Sequence, residues 1–215
     1  MLRRARLQDR ISWASNICAR AAGDWADGYR QSGASDPLAP VNRFIRIPAL
    51  FTGLQGKFVR PLGYGDALAH GIFDYAYTRP GDYLVQGATI WFIAAQQPLL
   101  PALCVRTDRV ISFTRPIAPG VTGINGYGGV TATGVVALLV NWPASVIGSS
   151  GSGQPSANLP SDAGVPYWTV LLPAPPDVLL LPGDLLHDDL GRAAVVAAAE
   201  LTGLGWRLTV KQAIT

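Results

Sequence analysis

The stretch PGDYLVQGATIWFIAAQQPLLPALCVRTDRVISFTR, Pro80 to Arg115, decides the fold of this chain. Pro80-Gly81-Asp82 is a turn signal, because proline presets φ and glycine tolerates positive φ. Tyr83, Leu84 and Val85 begin a strand that reverses at Gln86-Gly87. The run Thr89, Ile90, Trp91, Phe92 and Ile93 is rich in β-formers, and a proline-marked turn then leads into a return strand. The chain repeats this plan near its end in PGDLLHDDLGRAAVVAAAELTGLGWRLTVKQA, Pro182 to Ala213. Asp82 and Asp184 each follow Pro-Gly, and the apolar runs Phe92 to Ala95 and Ala194 to Ala197 start equally far downstream. With one residue of slip in the next turn, Leu103 and Val105 align with Trp206 and Leu208.

Working outward, Leu2 to Ala22 carries Leu7, Ile11, Ala14, Cys18 and Ala21 at helical spacing, with Gly23 as a stop. The apolar side of this helix is expected to dock either on its own barrel or on a neighbouring subunit. Gln31 to Pro40 reads as a loop, and Val41 to Leu50 as a strand ended or bulged near Pro48. A glycine-bearing loop from Thr52 to Asp66 precedes a strand over Gly71 to Tyr77. The glycine-rich segment Pro116 to Gly129 is a boundary signal. Thr133 to Trp142 and Tyr167 to Leu172 are further strands, separated by a Ser/Gly/Pro tract from Gly148 to Pro166.

The expected fold is mainly β: two small antiparallel barrel or sandwich modules related by internal duplication, with an N-terminal helix. The first module spans residues 1–117 with the helix, and the second spans 118–215 with a flexible loop at 148–166.

Charged residues make up only 14% of the chain, a low share that fits β modules whose faces neighbours cover. Up to Arg60 there are ten basic residues against four acids, whereas acids outnumber bases beyond it. Such a segment can meet nucleic acid, an acidic protein surface, or simply solvent. Cys18 and Cys104 have no paired spacing and lie among apolar residues, so both are expected as buried thiols. The N-terminus lacks the apolar core of a signal peptide, and Val135 to Val140 is too short to span a bilayer, which points to folding in a cytoplasm without membrane contact.

No catalytic pattern stands out. His70, with Asp66 and Asp74 nearby, and His187, in His187-Asp188-Asp189, fit no metal-ligand spacing, and the second reads as a hairpin tip. There is no nucleophile elbow, and Glu200 is the sole glutamate, so no pair of opposed carboxylates emerges. Gly53-Leu54-Gln55-Gly56-Lys57 lacks the spacing of a phosphate loop. Trp91, Phe92, Trp168 and Trp206 sit in strand patterns and read as core or interface anchors.

The stretches RPGDYLVQGATIWFIAAQQPLLPALCVRTDRVISFTRP, VPYWTVLLPAPPDVLLLPGDLLHDDLGRAAVVAAAELTGLGWRLTVKQA and SGASDPLAPVNRF make the chain resemble virion structural proteins of tailed bacteriophages and prophages. The strand arrangement is also similar to head-closure or stopper proteins, small barrels forming a ring between portal and tail. The resemblance implies a non-catalytic connector without cofactors. It would be assembled in the host bacterial cytoplasm as a homo-oligomeric ring and reside in the virion. Its partners would be a portal or adaptor protein and tail proteins, and any contact with packaged DNA would be non-specific. The candidate interface residues are Arg3, Arg4, Arg6, Arg10, Trp91, Phe92, Trp168 and Trp206, and Pro80, Gly81, Asp82, Pro182, Gly183 and Asp184 are the turn signatures of the repeat. A tail-fibre or baseplate anchor is the alternative, and a particle-borne wall hydrolase a third.

Overall fold

The computed structural model describes residues 2–53, 67–117, 134–148, 167–175 and 177–213. It contains one long helix and two closed six-stranded antiparallel barrels. Helix α1 (Leu2–Ala22) leads into the first barrel, built from β1 (Asp24–Tyr29), β2 (Arg43–Gly53), β3 (Leu68–Ile72), β4 (Tyr83–Gln86), β5 (Thr89–Ala95) and β6 (Ala102–Arg106). The second comprises β7 (Arg109–Pro116), β8 (Val135–Gly148), β9 (Tyr167–Leu172), β10 (Leu185–Asp188), β11 (Ala193–Thr202) and β12 (Gly205–Gln212).

The two barrels share one topology. The first runs β1-β2-β3-β6-β5-β4 and closes through β4 on β1; the second runs β7-β8-β9-β12-β11-β10 and closes through β10 on β7. Registers match as well. Asp24 pairs with Ala49 as Arg109 pairs with Ala144, so Pro48-Ala49 of β2 coincides with Pro143-Ala144 of β8. Each proline is tolerated in mid-strand because the third strand joins only farther on, at Leu50 in one barrel and Ser145 in the other. Strand β2 therefore continues to Gly53 rather than ending near Pro48.

Several boundaries differ from the sequence reading. Arg109–Pro116 opens the second barrel, so the division falls between Arg106 and Arg109 rather than at 117/118. Pro116 to Gly129 is not a linker between modules, because the strands flanking it, β7 and β8, pair with each other. The third strand is Leu68–Ile72, and the residues from Phe73 to Tyr77 leave it as a bend and turn. Strand β8 runs on to Gly148, well past Trp142. Ile93, not Leu103, fixes the repeat downstream: Ile93 faces Cys104 as Val196 faces Val210, each just before a bulge. Cys104 thus corresponds to Val210, because β11 and β12 extend farther beyond the bulge than β5 and β6 do, although the turn joining them is shorter. The expected loops at 52–66 and 148–166 lie mostly outside the described residues.

Side chains alternate across each wall. Ala26, Ile47, Ala49, Leu84, Ile93, Ala102 and Cys104 fill the first barrel with Phe73. A Cβ at Gly71 would strike Phe73 and the Cys104 sulfur. Ile111, Phe113, Leu139, Val170, Leu186, Val196, Leu208 and Val210 fill the second.

The barrels are joined by one continuous apolar cluster. Tyr83, Phe92 and Val105, which face outward from the first barrel, merge with the residues of the second. Each such burial stabilises by roughly 1.5–3 kcal/mol, an upper figure. Tyr83 meets Trp142 edge-on at 6.3 Å between centroids, and its hydroxyl donates to the Pro143 carbonyl at 2.8 Å. Asn141, at φ 57°, breaks the β7–β8 register. On either side of it, the Val140 N–H and Trp142 Nε1 both donate to the Ala34 carbonyl, each at 3.0 Å.

Removing that phenolic hydroxyl should loosen the joint while leaving both interiors intact. Tyr83→Phe is expected to lower stability by about 1–2 kcal/mol, read from denaturant unfolding. Unchanged stability would mean that the Tyr83–Pro143 bond contributes nothing.

Candidate functional site

Two features organise the exposed and half-buried polar groups: a duplicated ion pair at the barrel seams and the outer face of α1.

The turns Arg79-Pro80-Gly81-Asp82 and Leu181-Pro182-Gly183-Asp184 are built alike. Gly81 and Gly183 have φ of 94° and 95°, and in each turn the Asp N–H donates to the carbonyl three residues back at 3.2 Å. With proline at the second place and positive φ at the third, these are type II turns. The aspartates are buried, and each receives a two-pronged arginine from the end of its barrel's first strand. Arg30 Nε and Nη2 donate to Asp82 at 2.9 and 2.8 Å; Arg115 Nε and Nη2 donate to Asp184 at 2.7 and 2.9 Å. The same Nη2 atoms reach the Tyr77 and Leu179 carbonyls, each five residues before its aspartate. The Arg79 and Leu181 N–H groups complete the shell. Hydrogen bonding to the carboxylate pushes both guanidinium groups above their ordinary range. The arginines are about one-third exposed, at 33% and 35%, so solvent screens part of this interaction. The chemistry is structural: it pins the short ladder that closes each barrel.

Helix α1 lies on β2 and β3 with an unexpected orientation. Among the described side chains of the helix, the half-buried or buried ones are Gln8, Ile11, Ser12, Ser15, Asn16 and Ala19. The Gln8 side chain accepts from the Leu99 N–H at 2.9 Å, and a Cβ at Gly23 would collide with the Ala49 and Ala19 carbonyl oxygens. Small polar groups allow this close approach. Of the expected stripe only Ile11 is half-buried; Leu7, Ala14, Cys18 and Ala21 face outward instead, alongside Trp13 at 66% exposure and Ile17 at 47%. Cys18 is exposed for the same reason, against the expectation of a buried thiol, whereas Cys104 is buried and its thiol is pushed far up by desolvation.

The other expected site residues separate. Arg6 and Arg10 are exposed on α1, while the side chains of Arg3 and Arg4 lie outside the described residues. Phe92 and Trp206 are buried and cannot meet another subunit; they line an apolar cleft of about 280 Å³ between the barrels with Leu103, Leu171 and Leu204. Trp91 is half-buried and stacked on Phe51 at 4.5 Å, and Trp168 lies under the Arg192 guanidinium at 4.8 Å. His70 is half-buried on β3, His187 and Glu200 are exposed, and Asp74 closes a turn onto the Ala76 N–H. No group of three or more potential metal ligands occurs among the described residues, and none of their helices is long and apolar enough to cross a membrane. Sequence reasoning missed Arg30 and Arg115; the signal was an arginine closing the first strand of each repeat. Comparison with family models, curated proteins and solved structures gave no match.

Asp188 holds the β10–β11 hairpin by accepting from the Leu190 and Arg192 N–H groups and the Arg192 guanidinium. Burial would raise its carboxyl, but these donors together bring it below the ordinary value. Its stabilising contribution is therefore complete above the usual carboxylate range near ~4 and fades as pH falls through the lower folded value. The stability difference between the native chain and Asp188→Asn should accordingly shrink on acidification; a gap that is constant in pH would refute this. At the seams, Arg115→Ala should cost about 2–3 kcal/mol, since it leaves a buried carboxylate behind. Arg30→Ala should cost less, because Arg79 stands 3.9 Å from Asp82 and Asp184 has no second cation within reach among the described residues. Equal costs would show that Arg79 does not substitute.

Proposed function

We propose that this chain is a structural component of a tailed-phage neck, joining the portal-side ring to the tail by protein–protein docking around the DNA channel. The observation that carries the reading is the reversed helix. A helix that only completes its own chain's core turns its apolar residues inward. Here Leu7, Trp13 and Ile17 point outward, whereas the barrel side carries Ser12, Ser15 and Asn16 with Ile11 as its large apolar residue, so this apolar face is left for another chain to bury. Exposed Arg6, Arg10 and Arg20 on the same helix suit an acidic protein surface, and would contact DNA only through phosphates. Paired small barrels supply rigid walls for such docking, and the quoted stretches that resemble virion proteins supply the context.

Purified particles should contain the chain in a small multiple of the portal copy number, with density between portal and tail in image reconstructions. Recovery only from lysate, or density at fibres or baseplate, would sink the neck reading. Trp13→Asp with Ile17→Asp should change unfolding stability by less than about 0.5 kcal/mol, as exposed substitutions do. The same pair should keep the chain out of particles.

A further inference from the structure

Tyr83, Phe92, Val105 and Leu68 form one row of cross-strand partners over β4, β5, β6 and β3. By register, the same row in the second barrel is Leu185, Val195, Lys211 and Tyr167 over β10, β11, β12 and β9. The two rows differ in what covers them. Tyr83, Phe92 and Val105 are at most 2% exposed, because the second barrel sits on them. Leu185, Val195, Lys211 and Tyr167 are only half-buried, with Lys211 over the Tyr167 ring, and Leu181, Ala197 and Ala198 near them are exposed. One barrel design therefore has a docking face that is fully covered once in this chain and left partly exposed, at Leu185 and Val195, once.

The receiving surface is different. On the second barrel it includes Trp142 and Pro143 of β8, Leu171 of β9, and Ala174, whose carbonyl accepts from Gln31 Nε2 at 3.0 Å. Its counterpart on the first barrel is the β2–β3 side, with Pro48 and Ile72, and α1 packs there. The joint is thus heterologous, face against a different face, and such contacts propagate from copy to copy instead of stopping at a pair.

We propose that the β10–β11–β12 face of one copy receives a second copy of this chain through α1, with Leu7, Trp13 and Ile17 seated around Leu185 and Val195. The contact repeats between copies the direction of the joint already made inside each one. It deepens the assembly reading and rests on it for the expectation that copies meet.

The test uses the full chain with Ala197→Cys, native Cys18 and a short bismaleimide; Cys104 is buried and out of reach. The expected result is a ladder of dimers, trimers and higher products that disappears when Cys18→Ser is added. Val195→Glu should weaken self-association at least about tenfold by sedimentation, since it places a charge in the joint. Products that stop at dimers, products that persist without Cys18, or a native chain that stays monomeric at all concentrations would overturn the proposal. Those results alongside the chain's presence in particle necks would refute this joint and leave the neck reading standing. A ladder from a chain absent from particles would do the reverse.

Discussion

Closure of each barrel depends on a buried carboxylate held by an arginine. The seam between first and fourth strands is short: Asp27, Gly28 and Tyr29 pair with Val85, Leu84 and Tyr83 and then the ladder ends. Arg30 is the next residue on one side and Asp82 the preceding residue on the other, so their two-pronged bond extends the seam beyond the last backbone pair. Arg115 and Asp184 do the same where β7 meets β10. A carboxylate with three donors around it is satisfied despite burial, whereas either partner alone would be a liability. The type II turn is what delivers the aspartate, because Gly81 and Gly183 take a φ that other residues resist.

That arrangement explains which parts of the fold were legible in the sequence. Pro-Gly-Asp is local, so three adjacent letters disclose it twice, and the strands that follow show their β-formers directly. The arginines are not local. They stand 52 residues from Asp82 in one case and 69 from Asp184 in the other, because the intervening loops differ in length. Pro48-Ala49 and Pro143-Ala144 were a usable signature of the repeat, but a proline inside a strand reads as an end until its pairing is known. Unequal hairpins also hid the match of Cys104 with Val210.

Helix α1 shows a different limit. Spacing identified an apolar stripe, and apolar stripes ordinarily turn inward; all of this one but Ile11 turns out, because Gly23, Ala19 and Ser12 let the opposite side approach the barrel closely. Close van der Waals fit of small residues competes with burial of larger ones, and sequence periodicity records only the second. The aromatic residues divide for a related reason: alternation along a strand says which residues share a side, not whether a second barrel covers that side. Phe92 is hidden by the neighbouring barrel while its register counterpart Val195 is not.

The joint between the barrels has a mechanical consequence. Its apolar cluster is continuous with the second barrel's interior, and hydrogen bonds from Tyr83, Trp142 and Gln31 cross it at three separate points. A hinge would have to tear all of these at once, so the chain is a stiff elbow whose angle is set when it folds. Any closed assembly made from such elbows would inherit part of its curvature from within each subunit, before any two subunits have touched.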